Sequence, residues 1–432
     1  MKIAVIGGGS TYTPELVDGF ARLRRSVPGK SGPQIDSDPQ IDDLVLIDPA
    51  VERLEIIGRF SARIFAHYGH PGRVRWTTDL DAGVTDADAV LIQLRVGGQA
   101  ARISDETFPP TCGCVGQETT GAGGLAKALR TVPVVLDVAE RVRERAKPGA
   151  WIVDFTNPVG IVTRSLLDAG HRAVGLCNVA IGFQRRFAGL LDVAPSEVVL
   201  DHVGLNHLTW ERAAYVDGVD RLPGLLEAHL SELAADVELS ADVLRALGNV
   251  PSYYLNYFYN HDKVVRAEQG RPTRGQCVAD IEATLLEMYR DPSLNEKPAL
   301  LGERGGAYYS EAAVGLIAAL HGLDPDGVHS VNVRNNGTMP FLPDDAVIEI
   351  SARADENGPA PLPINPLSPD QAGLITHVWG YEELAIDAAL RGGRHRVYRA
   401  LLAHPLIGQH EQADELTDRL IAAGRRHLAW AR

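Results

Sequence analysis

The chain has 432 residues, 45% of them apolar, with four cysteines and a formal net charge of −14. At roughly 150 residues per domain this length predicts two or three domains with ordinary packed cores. The acidic balance argues against a nucleic-acid backbone as partner, which calls for a basic face. Cys112, Cys114, Cys177 and Cys277 lack paired zinc spacing, and no segment reaches about 18 consecutive apolar residues, so no membrane span is expected. Residues 1–9 show no charged region ahead of a long apolar run. No signal peptide is therefore expected, and free thiols in a reducing cytoplasm are the simplest reading.

The first half alternates short β-branched runs with helical periodicity. Strands are predicted at Lys2–Ile6, Asp43–Ile47, Arg73–Thr77, Ala89–Leu94, Trp151–Phe155 and Arg172–Leu176. Several are apolar on both faces, as parallel strands buried between helices must be. Helices are predicted between most of them, including Val51–His67 and Gly124–Ala146; in the latter Leu125, Leu129, Val132, Leu136 and Val138 trace one face. Ser26–Gln40 is rich in Pro, Gly, Ser and Asp and reads as a loop inserted between the first helix and second strand. Alternating βα units imply a doubly wound parallel sheet.

The pattern changes near residue 195. Val198–Leu208 and Thr209–Asp217 read as sequential antiparallel strands, and Ser330–Ala352 alternates again. Helices are predicted at Leu222–Leu247, Cys277–Tyr289, Gly306–His321, Pro369–Arg391 and Glu411–Ala429, with Cys277, Ile281, Leu285 and Met288 as a core stripe in the second. The expected fold class is α/β: a parallel domain over 1–195 and an α+β substrate and catalytic domain over 196–432.

The first strand runs into Gly7-Gly8-Gly9-Ser10, with a helix from Pro14. Glycines permit a sharp turn and close approach of a pyrophosphate, and the helix N-terminus offers N–H groups and a favourable dipole. The third glycine of the usual fingerprint is replaced by Tyr12, but Asp48 ends the second strand, where an acid holds ribose hydroxyls and disfavours a 2′-phosphate. This is the pattern of a Rossmann domain binding NAD.

Three segments fall where loops leave the carboxyl ends of such a sheet: Gln93–Gly98, Phe155–Pro158 and Leu176–Asn178. Arg95 is suited to a phosphate or carboxylate, or is a surface arginine. Asn157 offers an amide, or is a turn residue before proline. Cys177 and His207 are by default a core thiol and a hydrogen-bonded histidine. Tyrosines crowd residues 253–259, and a tyrosine near a cation can act as a general base. Gly116–Gly124 is polar and glycine-rich and opens a helix, as a ligand loop would.

Together these segments resemble glycoside hydrolase family 4, the NAD- and metal-dependent glycosidases that depart from the two-carboxylate scheme. The resemblance runs through Ile3–Ser10 with Thr13-Pro14-Glu15, Arg95–Gly98, Gly116–Gly124, Thr156-Asn157-Pro158, Cys177-Asn178 with Ile181-Gly182, and Gly204–His207. It continues through Tyr254-Leu255, Thr273-Arg274-Gly275, Arg304–Ser310 and Asn332–Gly337, covering nearly the whole chain in order. It implies a dehydrogenase-like architecture related to lactate and malate dehydrogenases. Cys177 and His207 would be metal ligands, Tyr254 the catalytic base, and Arg95, Asn157, Asn178 and Arg274 substrate-binding residues.

The cofactors implied are NAD and a divalent metal, Mn2+ by family precedent, although thiolate and imidazole ordinarily suit softer metals. The substrate implied is a phosphorylated glycoside, cleaved by oxidation at C3, elimination, water addition and re-reduction. Asn178 stands where α-acting members carry Asp, which resembles the β-acting branch and leaves the leaving-group acid unassigned. The leading expectation is a cytoplasmic 6-phospho-β-glucosidase, a homodimer or homotetramer with no membrane or nucleic-acid partner. Alternatives are an α-galacturonidase or α-glucuronidase, a net 2-hydroxy-acid dehydrogenase, and a non-catalytic NAD-binding regulator. No role is expected of Cys112 or Cys114 beyond buried or redox-sensitive thiols.

Overall fold

The computed structural model describes residues 1–22, 41–306, 308–324 and 327–431. The stretch Ser26–Gln40 read as an inserted loop lies outside the described residues. In chain order the strands of the first half are β1 (Lys2–Ile6), β2 (Asp43–Ile47), β3 (Arg73–Thr77), β4 (Ala89–Ile92), β5 (Trp151–Asp154) and β6 (Ala173–Leu176). They pair in parallel in the order β3-β2-β1-β4-β5-β6. This is the doubly wound order that leaves a ligand crevice at the carboxyl ends of β1 and β4. β1, β2, β4, β5 and β6 are almost wholly buried, as their apolar composition requires.

The second half adds β7 (Val199–Leu205), β8 (Leu208–Val216), β9 (Val219–Asp220), β10 (Val250–Pro251), β11 (Val328–Arg334), β12 (Val347–Asp355) and β13 (Gly358–Pro361). These strands extend the same sheet. β11 pairs antiparallel with β6 through Val331↔Leu176, and β12, β7, β8 and β10 follow outward, all antiparallel. The helix Pro369–Arg391 packs back onto Gly121–Arg145 of the first half. One core therefore runs through both halves, with a satellite core under the helices Val179–Leu191 and Leu222–Asp236.

Three expectations are corrected. The helix expected over Leu222–Leu247 is interrupted: it runs over Leu222–Asp236 with a kink at the non-helical His229, and resumes over Ala241–Leu247. The chain breaks at Glu238, which adopts φ +57° and accepts hydrogen bonds from Asn256 and Asn260. The helix expected at Cys277–Tyr289 spans Arg274–Arg290, and Cys277 is exposed. Its fully buried stripe is Val278, Glu282, Leu285 and Tyr289; of the expected stripe Leu285 is fully buried, Ile281 and Met288 pack half-buried against the core, and Cys277 lies outside it. The last long helix ends at Gly424 rather than 429.

Candidate active site

Loops at the carboxyl ends of β1, β4, β5 and β6 meet the second half around a cavity of about 800 Å³, a size that suits a cofactor or small substrate. At one end the chain reverses at Gly7, whose φ is +84°. A Cβ there would lie 2.6 Å from the Gln93 carbonyl oxygen. The Gly7 and Gly8 N–H groups donate to the Ile47 carbonyl at 2.9 Å each, which ties the turn to β2. Gly9 N–H donates to Asp48 Oδ2 at 3.1 Å, and Ala50 N–H to Asp48 Oδ1 at 2.9 Å. The helix Thr13–Arg22 begins just past the turn, so its N-terminal dipole favours an anion there. Gly7, Gly9, Ser10 and Asp48 line the cavity, whereas Gly8 packs behind the turn against Leu46.

The next wall is cationic. Arg95, just after β4, grips Glu118 with both terminal guanidinium nitrogens, Nη2 lying 3.2 Å from Oε1. Lys127 Nζ lies 2.8 Å and Arg102 Nε 3.3 Å from the same carboxylate. Arg102 also pairs with Glu106 at 2.8 Å, so three cations face two carboxylates and one positive charge is left over. Burial alone would push the Glu118 carboxyl up, but Arg95, Lys127 and Arg102 outweigh it and hold it well below the usual range. Burial brings the Lys127 ammonium down to about 8 against the pull of Glu118. Asn157 and Asn178 line the cavity, and the buried Asn157 Oδ1 has no partner. Arg274 starts its helix at the cavity's mouth, with Nη2 donating to the Glu303 carbonyl at 2.6 Å.

The third group sits on the sheet edge. A two-residue turn joins β7 to β8, and His207 in it adopts φ +64°, costly for a non-glycine residue. Its Nδ1 meets Thr119 Oγ1 at 2.9 Å. Burial lowers the imidazole to about 4, so it is neutral. Cys177 is buried and does not itself line the cavity, although the next residue, Asn178, does. Burial, and then Glu349, push its thiol pKa up, while N–H groups of Val179 and Asn178 and the Asn206 side chain favour the thiolate.

These donors fit a divalent cation. The imidazole is neutral with one nitrogen already engaged, and the sulfur sits at a helix N-terminus. Among the described residues no group of three His, Cys, Asp or Glu side chains is placed to hold a metal ion by itself. A cation bound here therefore completes its shell with ligand and solvent oxygens, which tempers the softness of sulfur and nitrogen. Tyr254 stacks on His207 with ring centroids 3.7 Å apart. Burial, then Tyr253, Cys177 and Tyr257, push its phenol well above the ordinary value.

Several residues here escaped the sequence reading. Glu282, from the second half, accepts hydrogen bonds from Thr11 at 3.0 Å, Gln99 at 3.0 Å and Arg304 at 2.9 Å, and pairs with Arg53 at 3.3 Å. Arg304 also reaches Thr11 Oγ1 at 2.8 Å and Ser10 Oγ at 3.4 Å. This clasp fastens the C-terminal half to the glycine turn. Its signal was a lone carboxylate in the apolar stripe of a helix. Lys127 and Arg130 in the buried face of Gly121–Arg145 were the matching signal for the cationic wall; Arg130 pairs with Asp105 and holds the Val96 carbonyl at 2.9 Å.

Residues 2–193 match the family 4 glycosyl hydrolase model, and residues 202–407 match the family 4 glycosyl hydrolase C-terminal domain. A probable 6-phospho-beta-glucosidase of Bacillus subtilis is 35% identical, covering 99% of this chain and 97% of that protein. The 6-phospho-beta-glucosidase of Escherichia coli is 34% identical over 100% of this chain and 96% of its own. The solved 6-phospho-beta glucosidase of Thermotoga maritima with manganese, NAD+ and glucose-6-phosphate is 32% identical, with a TM-score of 0.87 over 99% of both chains. A malate dehydrogenase from Salinibacter ruber shares the fold alone, at a TM-score of 0.52 and 16% identity over 90% of this chain and 98% of its own.

Proposed function

This chain belongs to the family 4 glycosyl hydrolases, and on that premise we propose that it is an NAD- and divalent-metal-dependent 6-phospho-β-glucosidase. The observation that carries the reading is one cavity lined by a dinucleotide turn, an excess of positive charge, and a neutral histidine stacked on a tyrosine. The relatives named for phospho-β-glucosides support the substrate class, and Asn178 in place of an acid supports the β-linked form. The excess positive charge around Glu118 suits a dianionic phosphate better than a single carboxylate.

Gly7, Gly9 and Ser10 would hold the NAD diphosphate and Asp48 the ribose. Cys177 and His207 would hold the metal, Mn2+ in the related structure. When bound, NAD would supply hydride exchange at the sugar's C3, and the metal would polarise the oxygen there and favour the phenolate form of the nearby Tyr254. Arg95, Asn157, Asn178 and Arg274 bind and orient the sugar and its phosphate. Tyr254 takes the proton from C2, a step made feasible by a carbonyl at C3, and the aglycone leaves by elimination. Water then adds at C1, a proton returns to C2, and the C3 carbonyl is reduced back to the hydroxyl by the hydride first removed, so that no net NADH forms. In this reading residues 1–195 bind the cofactor and 196–432 complete the substrate site. A phosphorylated substrate and free thiols at Cys112, Cys114, Cys177 and Cys277 suit the cytoplasm. Among the described residues no helix is long and apolar enough to cross a membrane. A homodimer or homotetramer is the proposed assembly.

The test is hydrolysis of an aryl 6-phospho-β-glucoside and its unphosphorylated twin, with NAD and Mn2+ each supplied or withheld. Cleavage of the phosphorylated form alone, requiring both additions and giving no net NADH, is expected. Net NADH would make the protein a dehydrogenase. Cleavage of a uronoside instead would move the substrate class.

A further inference from the structure

A fully buried charged group lies behind the cavity and takes no part in the chemistry above. His202 on β7 sits between Glu211 on β8, 2.7 Å from Nδ1, and Glu349 on β12, 3.0 Å from Nε2. The three side chains are 0%, 1% and 1% exposed. The strand register sets the group, because His202 pairs directly with Glu211 and Glu349 directly with Asn332. The two carboxylates raise the imidazole of His202 to about 10 although burial opposes them. Burial raises the Glu211 carboxyl against the pull of His202, whereas at Glu349 the hydrogen bonds of His202, Asn206 and Asn332 outweigh burial and hold the carboxyl below its ordinary range. Such a group contributes little to stability, since desolvation offsets most of the attraction.

Its remaining contacts lead in one direction. Glu349 Oε2 accepts hydrogen bonds from Asn332 at 2.9 Å and Asn206 at 2.8 Å. Asn206 is the first residue of the turn that carries His207, and its side chain favours the Cys177 thiolate. A single amide thus bonds the buried carboxylate and favours the thiolate, and its backbone leads directly into the imidazole.

We propose that Glu349, held by His202, Glu211 and Asn332, is a positioning residue for the metal pair, acting through Asn206 to orient the Cys177 sulfur and presenting a buried negative charge to the cation. The inference rests on the reading that Cys177 and His207 hold a divalent metal. Outer partners of this kind orient ligands and typically change metal affinity by about 10- to 100-fold.

The test uses the full-length protein loaded with NAD. Mn2+ binding is measured from the electron paramagnetic resonance signal of free Mn2+, and Co2+ is added separately to record the thiolate-to-cobalt absorption band. In the wild type the band should appear, and Cys177→Ser should remove it. Asn206→Ala and Glu349→Gln should each weaken Mn2+ binding by about tenfold or more and shift the cobalt band, with NAD affinity unchanged within about twofold. The double variant should lose no more than the worse single one, because both act through one chain of contacts. Asn206→Ala leaves the buried group intact and decides the matter if Glu349→Gln does not fold. No band in the wild type, or a band that survives Cys177→Ser, would overturn the metal reading itself. A normal wild-type band with unchanged Mn2+ affinity in Asn206→Ala would overturn this inference alone.

Discussion

Replacing Glu282 by Ala removes the clasp between the C-terminal half and the glycine turn. The carboxylate has four partners within 3.3 Å: Thr11, Gln99, Arg304 and Arg53. Arg304 is only 14% exposed and stays buried when its partner is lost, whereas Arg53 at 38% can turn to solvent. Breaking a buried pair costs about 3 to 5 kcal/mol, and the half-exposed partner places this case near the lower figure. For 432 residues the unfolding entropy is about 0.9 kcal/mol per kelvin, so the melting temperature should fall by about 3 to 4 °C. The carboxyl is held below its ordinary value by Arg304 and Arg53 despite burial. Its contribution is therefore present above the unfolded pKa and lost as pH falls through the lowered one, so the gap between wild type and variant should close in acid. Freed Arg304 no longer braces Ser10 and Thr11, so NAD affinity should fall as well. Thermal melts and NAD titration by intrinsic fluorescence measure both effects. An unchanged melting temperature and NAD affinity would refute the clasp.

Two further outcomes are expected. Lys127 is charged below about pH 8 and neutral above it, so KM for the phosphorylated substrate should rise on passing that pH and the rise should disappear in Lys127→Met; a KM flat from about pH 7 to 9.5 in the wild type would remove Lys127 from the anion site. Asp154 is buried with Oδ2 unpartnered, and burial raises its carboxyl far above normal even though Thr156 opposes this. Its contribution is present below the unfolded pKa and is lost as pH rises toward the raised one. Asp154→Asn should therefore stabilise the protein by an amount that grows by about 1.4 kcal/mol per pH unit across that window; denaturant melts at several pH values that show a constant difference would contradict it.

β1 and β2 are legible to the residue because short apolar runs end abruptly at Gly7 and Asp48, and β3 and the helix Val51–His67 because strand alternation and helical periodicity are clear there. Local signals of that kind were enough for the parallel half and for the turn that carries Asp48. They failed where a distant segment decides the conformation. The one local sign of the break at Glu238 is Ser240, the N-cap of the next helix, and the contacts that stabilise it come from Asn256 and Asn260 farther along the chain. The stripe in Arg274–Arg290 is legible at Ile281, Leu285 and Met288, which face the core, but an apolar pattern gives no sign that Glu282 is buried more deeply than Ile281 or Met288. Arg95 was legible as an anion ligand, but its company of Arg102, Glu118 and Lys127 comes from three segments that only the fold brings together. The pairing of His202 with two carboxylates likewise depends on strand register, which a local pattern does not carry.

The central claim is that the bond breaks by removal of a proton from C2 rather than by direct displacement at C1. Hydrolysis of an aryl 6-phospho-β-glucoside in D2O, with the product read by mass spectrometry and proton NMR, tests it most directly. The account predicts deuterium at C2 of the released sugar phosphate, and loss of both turnover and exchange in Tyr254→Phe. Full turnover with protium retained at C2 would contradict it.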